Sequence, residues 1–214
     1  MNLIDILPMV AMGLALIIAI VGHEVMHGRV ANLYGDDTAK NQGRLSFNPI
    51  IHVDPIGTIV VPLILYFSSG FIFGWAKPVP VYMRTVLENK GYFGALHVSL
   101  AGIIYNLILA IIAAILLHFI DMPNNYIGLF LQSFLYYLVI INVILGIFNL
   151  YPIPPLDGSH ALGYIASWLG YPEIMHFMQK WSKFGFIILI ALIISPFSYL
   201  IFAPMRLIIN LLLN

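Results

Sequence analysis

The chain has 214 residues, 61% hydrophobic and 8% charged, with nine basic side chains balancing nine acidic ones. Soluble domains average about a quarter charged residues, so this composition excludes an ordinary soluble domain and describes a polytopic membrane protein; zero net charge gives no basic footprint for nucleic acid. With no cysteine, disulfides and thiolate metal sites are excluded, and any transition metal must be held by His and carboxylate.

The first apolar run, Ile6 to about Asn32, exceeds the ~20 residues that a helix needs to cross a bilayer. It follows neither a basic leader nor a small-residue cleavage site, so it is expected to persist in the mature chain. Pro8 falls in its first turns, where proline is tolerated. Toward its far end the run reads Val21-Gly22-His23-Glu24-Val25-Met26-His27-Gly28. Residues i and i+4 share a helix face, so His23 and His27 can hold one metal, with Glu24 beside them as a general base toward a water the metal activates. At 1.5 Å per residue, His23 lies about 27 Å along the helix from Asp5, near one end of the span. Ionisable groups in an apolar span are costly unless paired or functional. The competing reading is a pair of histidines that hydrogen-bond between helices. Two histidines need a third protein ligand to make a catalytic metal site.

Gly35 to Asp54 is polar and must lie at or outside the membrane surface. It includes Asn48-Pro49-Ile50-Ile51-His52-Val53-Asp54-Pro55. His52 and Asp54 are close enough to share a site, or Asp54 holds a turn before Pro55. Ile56 to Trp75 is apolar but interrupted by Pro62 and Ser68-Ser69-Gly70, and the run Gly74-Trp75-Ala76-Lys77-Pro78-Val79-Pro80-Val81 does not read as helix. A re-entrant, partly β-like hairpin is expected around 56–82, with a plain second transmembrane helix as the alternative. Gly91 to Ile120 and Tyr126 to Leu150 are clear spans joined by a tight turn. The second runs into Asn149-Leu150-Tyr151-Pro152-Ile153-Pro154-Pro155-Leu156-Asp157-Gly158, where proline breaks the helix. Ser159 to Leu169 can restart a short helix. Residues 170–183 read as interfacial, and Phe184 to about Leu213 as a last apolar region interrupted by Pro196 and Pro204. The fold class expected is an all-α polytopic membrane protein with five or six transmembrane helices.

Asp157 is the natural third ligand, a carboxylate in an apolar region between proline-broken backbone and Gly158. His-Glu-x-x-His at 23–27 together with Asn149, Pro152, Pro154, Leu156, Asp157 and Gly158 resembles the site-2 protease family of intramembrane zinc metalloproteases. The resemblance covers about residues 5–170, and the loop at 48–57 and the 74–81 run are similar to its compact prokaryotic branch. It implies that His23, His27 and Asp157 bind one Zn2+, that Glu24 activates water, and that Asn149 helps hold the substrate backbone. The family's third helix often carries Ala-Gly-Pro-x-x-Asn; here Ala101, Gly102 and Asn106 stand, with Ile103 in place of proline. Asn106 either donates to the substrate carbonyl and developing oxyanion or makes an interhelical hydrogen bond. The implied activity is cleavage of a peptide bond in or near a substrate's transmembrane segment, as in regulated intramembrane proteolysis or clearance of signal-peptide remnants. One peptidase domain is expected over 1–214, with a catalytic core at about 5–170, C-terminal helices at about 183–213 and no PDZ or CBS domain.

The site imposes a depth condition. Asp157 must reach the level of His23, so the span ending at Leu150 must end on the same side as the first helix, and Gly35–Lys90 must leave and return to that side. Arg29, Lys40, Arg44, Lys77, Arg84 and Lys90 then share it, while the turn 121–125 has no basic residue. The positive-inside rule makes that side cytoplasmic. The expected location is a prokaryotic cytoplasmic (inner) membrane, with the active site toward the cytoplasmic face. An extended substrate pairing with the hairpin edge at about 70–82 would have its peptide bonds unshielded. His160 either orients a ligand or is a helix-start polar residue, and His97, His118 and His176 read as packing or interfacial residues. A metal transporter would show internal repeats and a mid-membrane site, and a catalytically dead scaffold would have lost Glu24 or a ligand; neither pattern is present. The partners expected are a transmembrane protein or peptide substrate and the lipid bilayer, with a homo-oligomer left open.

Overall fold

The computed structural model describes residues 2–61, 63, 64, 67, 76–120, 123, 125–196 and 198–214. Among them run seven α-helices: α1 (Leu3–Leu33), α2 (Thr38–Asn41), α3 (Met83–His118), α4 (Tyr126–Leu150), α5 (Asp157–Trp168), α6 (Pro172–Ile194) and α7 (Ser198–Leu213). A 3-10 turn at Pro49–His52 and a π-helical turn at Pro55–Val60 lie between α2 and α3. No strand occurs among the described residues; residues 62, 65, 66 and 68–75 of the expected hairpin lie outside them, its described residues 56–61, 63, 64 and 67 are helical, and 76–82 are non-helical.

Helices α1, α3 and α4 are long and apolar enough to cross a membrane, and α6, which bends by 70° near Gly185, adds a fourth if its two parts count as one span. Among the described residues this gives three or four candidate spans, against the five or six expected. The reason is length: α5 has 12 residues and α7 has 16, or about 18 and 24 Å, against a hydrocarbon core of about 30 Å.

The core is a three-helix packing of α1, α3 and α4 built on small side chains. Ala11, Ala15 and Ala19 recur every fourth residue on α1 and are fully buried, and the same face continues into Gly22 and His23. On α3 the facing stripe is Gly102, Asn106, Ala110 and Ala113–Ala114, all buried. Apolar lipid gives helices no hydrophobic reason to associate, so close backbone approach over small residues and interhelical hydrogen bonds take that role. Leu135, Leu138, Val139 and Val143 of α4 complete the cluster, with Met205 of α7 against it.

Side-chain pairs fix the helix directions. Tyr105 reaches Ile18, Asn106 reaches Ala19, His27 reaches Val98 and Asn89 reaches Tyr34. Numbering falls along α3 as it rises along α1, so the two are antiparallel. The Asn89 side chain donates to the Tyr34 carbonyl at 2.9 Å, so the intervening chain leaves and returns at one level. Within α3, Gly91 (φ 61°, ψ −158°) interrupts the helical backbone in a conformation open essentially only to glycine. The Gly91–Ile120 span is thus preceded by a separate helical segment, 83–90, beyond that break. Ile103, in the place of the family's proline, lies inside unbroken helix.

Candidate metal centre

Three side chains from two distant stretches converge. His23 Nε2 lies 3.0 Å and His27 Nε2 3.2 Å from Asp157 Oδ2, and the two Nε2 atoms are 3.2 Å apart. The far nitrogen of each ring is committed. His27 Nδ1 meets the Val98 carbonyl at 2.7 Å, which only accepts, so Nδ1 carries the proton. His23 Nδ1 meets Asn106 Oδ1 at 2.6 Å and likewise donates. With Nδ1 carrying the proton in each neutral ring, Nε2 is the nitrogen left to ligate, and both Nε2 atoms face the same carboxylate oxygen. Asp157 Oδ2 is buried and has no hydrogen-bond partner. Three facing lone pairs are satisfied together by a cation. The donor set is that of a three-ligand catalytic zinc site, whose tetrahedral ligands at ~2.0 Å stand ~3.3 Å apart, so the residues fit the metal.

Local sequence explains the placement. The i, i+4 spacing stacks both histidines on one face of α1, with ring centroids 4.8 Å apart. Gly102 of α3 gives His23 its room, since a Cβ there would stand 2.6 Å from three ring atoms. Proline-broken backbone ends α4, and Asp157 opens α5. A Cβ on Gly158 would overlap the terminal carbonyls of α4 at Leu150 and Tyr151, so glycine lets α5 nest against that end and bring Asp157 to the histidines.

Glu24 is half-buried beside the ligands, and its Oε2 accepts from the Val79 backbone N–H at 2.9 Å. That contact is one of a series. Arg44 Nη2 donates to the carbonyls of Lys77 (2.8 Å) and Pro78 (3.3 Å), Lys77 N–H donates to the His52 carbonyl (2.9 Å), and Tyr82 N–H to Asp36 Oδ2 (2.6 Å). Arg44, His52 and Asp36 are all buried. The Val79 side chain packs where a Cβ on Gly28 would stand, directly after the histidine motif. Residues 77–82 are thus laid across the end of α1 by the loop 36–52, with Glu24 as one of the anchors.

The other candidates separate. Asn106 is wholly buried and has no donor to spare, because its Nδ2 is taken by the Ala19 carbonyl (3.1 Å) and Asn142 Oδ1 (2.7 Å). These bonds are those of the interhelical alternative, with Asn106 Oδ1 turned to His23. Asn149 donates to its own helix at Leu145 (3.0 Å), and among the described residues no hydrogen bond joins it to the cluster. Asp54 Oδ1 accepts from Ile56 and Gly57 N–H, the turn reading, while His52 faces Ser46 and Arg44. His160 lines a cleft of about 150 Å³ with Ser159, Met175 and Gln179. His97 pairs with the Tyr34 hydroxyl and His118 with the Ala114 carbonyl. Arg44, Val79 and Asn142 are the contributors that the sequence did not signal.

A two-histidine, one-carboxylate centre with a neighbouring glutamate, set in a bundle of apolar helices, is the arrangement of a metal-dependent peptidase. The chain belongs to peptidase family M50, the site-2 protease family, and is a metalloendopeptidase and an integral membrane protein. The model of that family matches residues 119–192, which include Asp157 but not His23 or His27. Over 198 residues the chain is 36% identical to "Putative zinc metalloprotease YwhC" of Bacillus subtilis, covering 90% of this chain and 84% of the relative. Over 175 residues it is 29% identical to "Putative zinc metalloprotease Rip2" of Mycolicibacterium smegmatis, covering 81% and 62%. No solved structure matches the chain.

Proposed function

We propose that the chain is a single integral-membrane peptidase domain that cleaves a peptide bond in or near a substrate's transmembrane segment, with one Zn2+ held by His23, His27 and Asp157. The observation that carries this reading is the meeting of three potential ligand atoms at 3.0–3.2 Å, with the Nδ1 of each histidine engaged from behind so that Nε2 faces the site. When bound, zinc supplies a Lewis acid that polarises the scissile carbonyl and lowers the pKa of water toward ~7.

Glu24 takes the proton of the attacking water on a carboxylate oxygen and returns it to the leaving amine nitrogen. Its Oε2 is held by the Val79 N–H, which leaves Oε1 without that bond. Asn149 keeps a second amide hydrogen for the substrate backbone, the first being spent on Leu145. The non-helical 76–81 segment, beside Glu24, lies where an unwound substrate could pair with the edge of a re-entrant hairpin around 56–82, which would raise the count of membrane-embedded elements above the three long spans. With the end of α1 cytoplasmic, the site lies toward the cytoplasmic face of a prokaryotic inner membrane. Substrates of this class are single-pass regulatory proteins or remnant signal peptides.

The test is zinc per chain in detergent-purified protein. About one zinc is expected in wild type and none in Asp157→Ala or His23→Ala. Folded, metal-replete wild type without zinc would sink the reading.

A further inference from the structure

We infer that Asn142 is a positioning residue for the metal centre: acting through Asn106, it holds His23 in the tautomer that offers its Nε2 lone pair. The purpose assigned to it rests on the zinc reading above; the geometry stands without it. Asn142 lies on α4, seven residues before Asn149, and is fully buried. Its Nδ2 donates to the Leu138 carbonyl at 2.8 Å. A carbonyl only accepts, so this bond fixes the amide orientation and leaves Oδ1 pointing at α3. Asn106 must then present Nδ2, which it does at 2.7 Å, while its other amide hydrogen goes to Ala19. Both hydrogens are spent, so Asn106 Oδ1 faces His23 and a proton must sit on Nδ1, which in the neutral ring leaves Nε2 as the ligating nitrogen.

Donor and acceptor therefore alternate without a break from Leu138 through Asn142 and Asn106 to His23, across three helices. Turning Asn106 over would place its oxygen against two acceptors at once and an N–H against His23 Nδ1. That would drive the His23 proton to Nε2 and remove a ligand. With Asn142 truncated, one of those two penalties disappears, leaving the 3.1 Å bond to Ala19 as the remaining lock. A ligating histidine's outer partner is worth ~10–100-fold in metal affinity; one bond further out, with half the lock retained, about tenfold is expected.

The experiment uses the detergent-purified full chain and two readouts: zinc affinity by competition with a chelator, and the His23 tautomer from imidazole 15N shifts in metal-free protein. Asn142→Leu and Asn142→Ala remove the acceptor, one filling the space and one leaving it, so that a folding failure of either leaves the other. Both are expected to weaken zinc about tenfold and to populate the Nε2–H tautomer of His23. Asn142→Asp, whose protonated carboxyl can donate to the Leu138 carbonyl and keep an oxygen toward Asn106, is expected to leave both near wild type. Placed on Asn106→Leu, Asn142→Leu adds nothing further, because its effect passes through Asn106. Unchanged zinc affinity and tautomer in the folded variants, or additive losses in the double variant, overturn the inference. A wild type that binds no zinc overturns the zinc reading instead, while the tautomer in metal-free variants still decides the role of Asn142.

Discussion

Glu24 can be tested apart from the metal because it is held by a group outside the ligand set. In Glu24→Gln the amide oxygen can still accept from the Val79 N–H, so the local backbone and the three ligands should stay in place while the proton acceptor is lost. Zinc content is expected to match wild type, with cleavage of a transmembrane substrate falling by about 10²–10⁴, the range for a general base. Gly102 supplies a second single-residue test. Its missing side chain is the space that His23 occupies, with a built Cβ 2.6 Å from the imidazole. Gly102→Ala should displace the ring and weaken zinc by at least about tenfold in a chelator competition. The control is Gly13→Ala on α1, where a Cβ meets nothing within 4 Å; there zinc binding should be untouched, and helix propensity favours the change.

At the scale of elements, the loop between α1 and α3 governs the site through backbone hydrogen bonds. Arg44 is buried and holds the Lys77 and Pro78 carbonyls, and the next residue's N–H holds Glu24. Arg44→Ala is expected to lower kcat about tenfold or more with zinc content unchanged, and Arg44→Lys, which keeps one donor, to recover part of it. Loss of zinc in step with activity would instead make the loop a support for the ligands themselves. None of this was legible beforehand, and the reason is physical. His23 and His27 declare themselves because helix periodicity puts them on one face, and Asp157 because a carboxylate stands out in proline-broken apolar sequence. Arg44 and Asn142 take their roles from partners more than 30 residues away, which no local pattern encodes. Gly91 read as the first residue of a span; its positive φ makes it the break between two helical segments, and only the folded path of α3 shows that. Gly91→Ala should lower thermal stability by about 1–3 kcal/mol, the strain of a side chain in that conformation.

At the scale of the whole molecule, the metal centre dictates the topology. One proposed ligand pair lies near the end of α1 and the third just after α4, so for a shared site those helices must finish at the same depth, and α3 must run the other way between them. The contacts of Tyr105, Asn106, Val98 and Asn89 with α1 establish that antiparallel path, and the Tyr34–Asn89 bond brings the start of α3 back to where α1 ends. An odd number of full crossings between Gly35 and Asn89 would break that bond and carry Asp157 to the wrong face. Basic residues Arg29, Lys40, Arg44, Lys77, Arg84 and Lys90 gather on the returning side, and that side is expected to be cytoplasmic. The chain has no cysteine, so single introduced thiols report position without background. Gln42, Lys90 and Tyr126 are exposed. In intact cells, a membrane-impermeant thiol reagent should label Tyr126→Cys and leave Gln42→Cys and Lys90→Cys unmodified; inside-out vesicles should reverse the pattern. Labelling of Gln42→Cys and Lys90→Cys from opposite faces would mean that the intervening chain crosses the membrane, and a shared centre for His23, His27 and Asp157 would then be geometrically impossible.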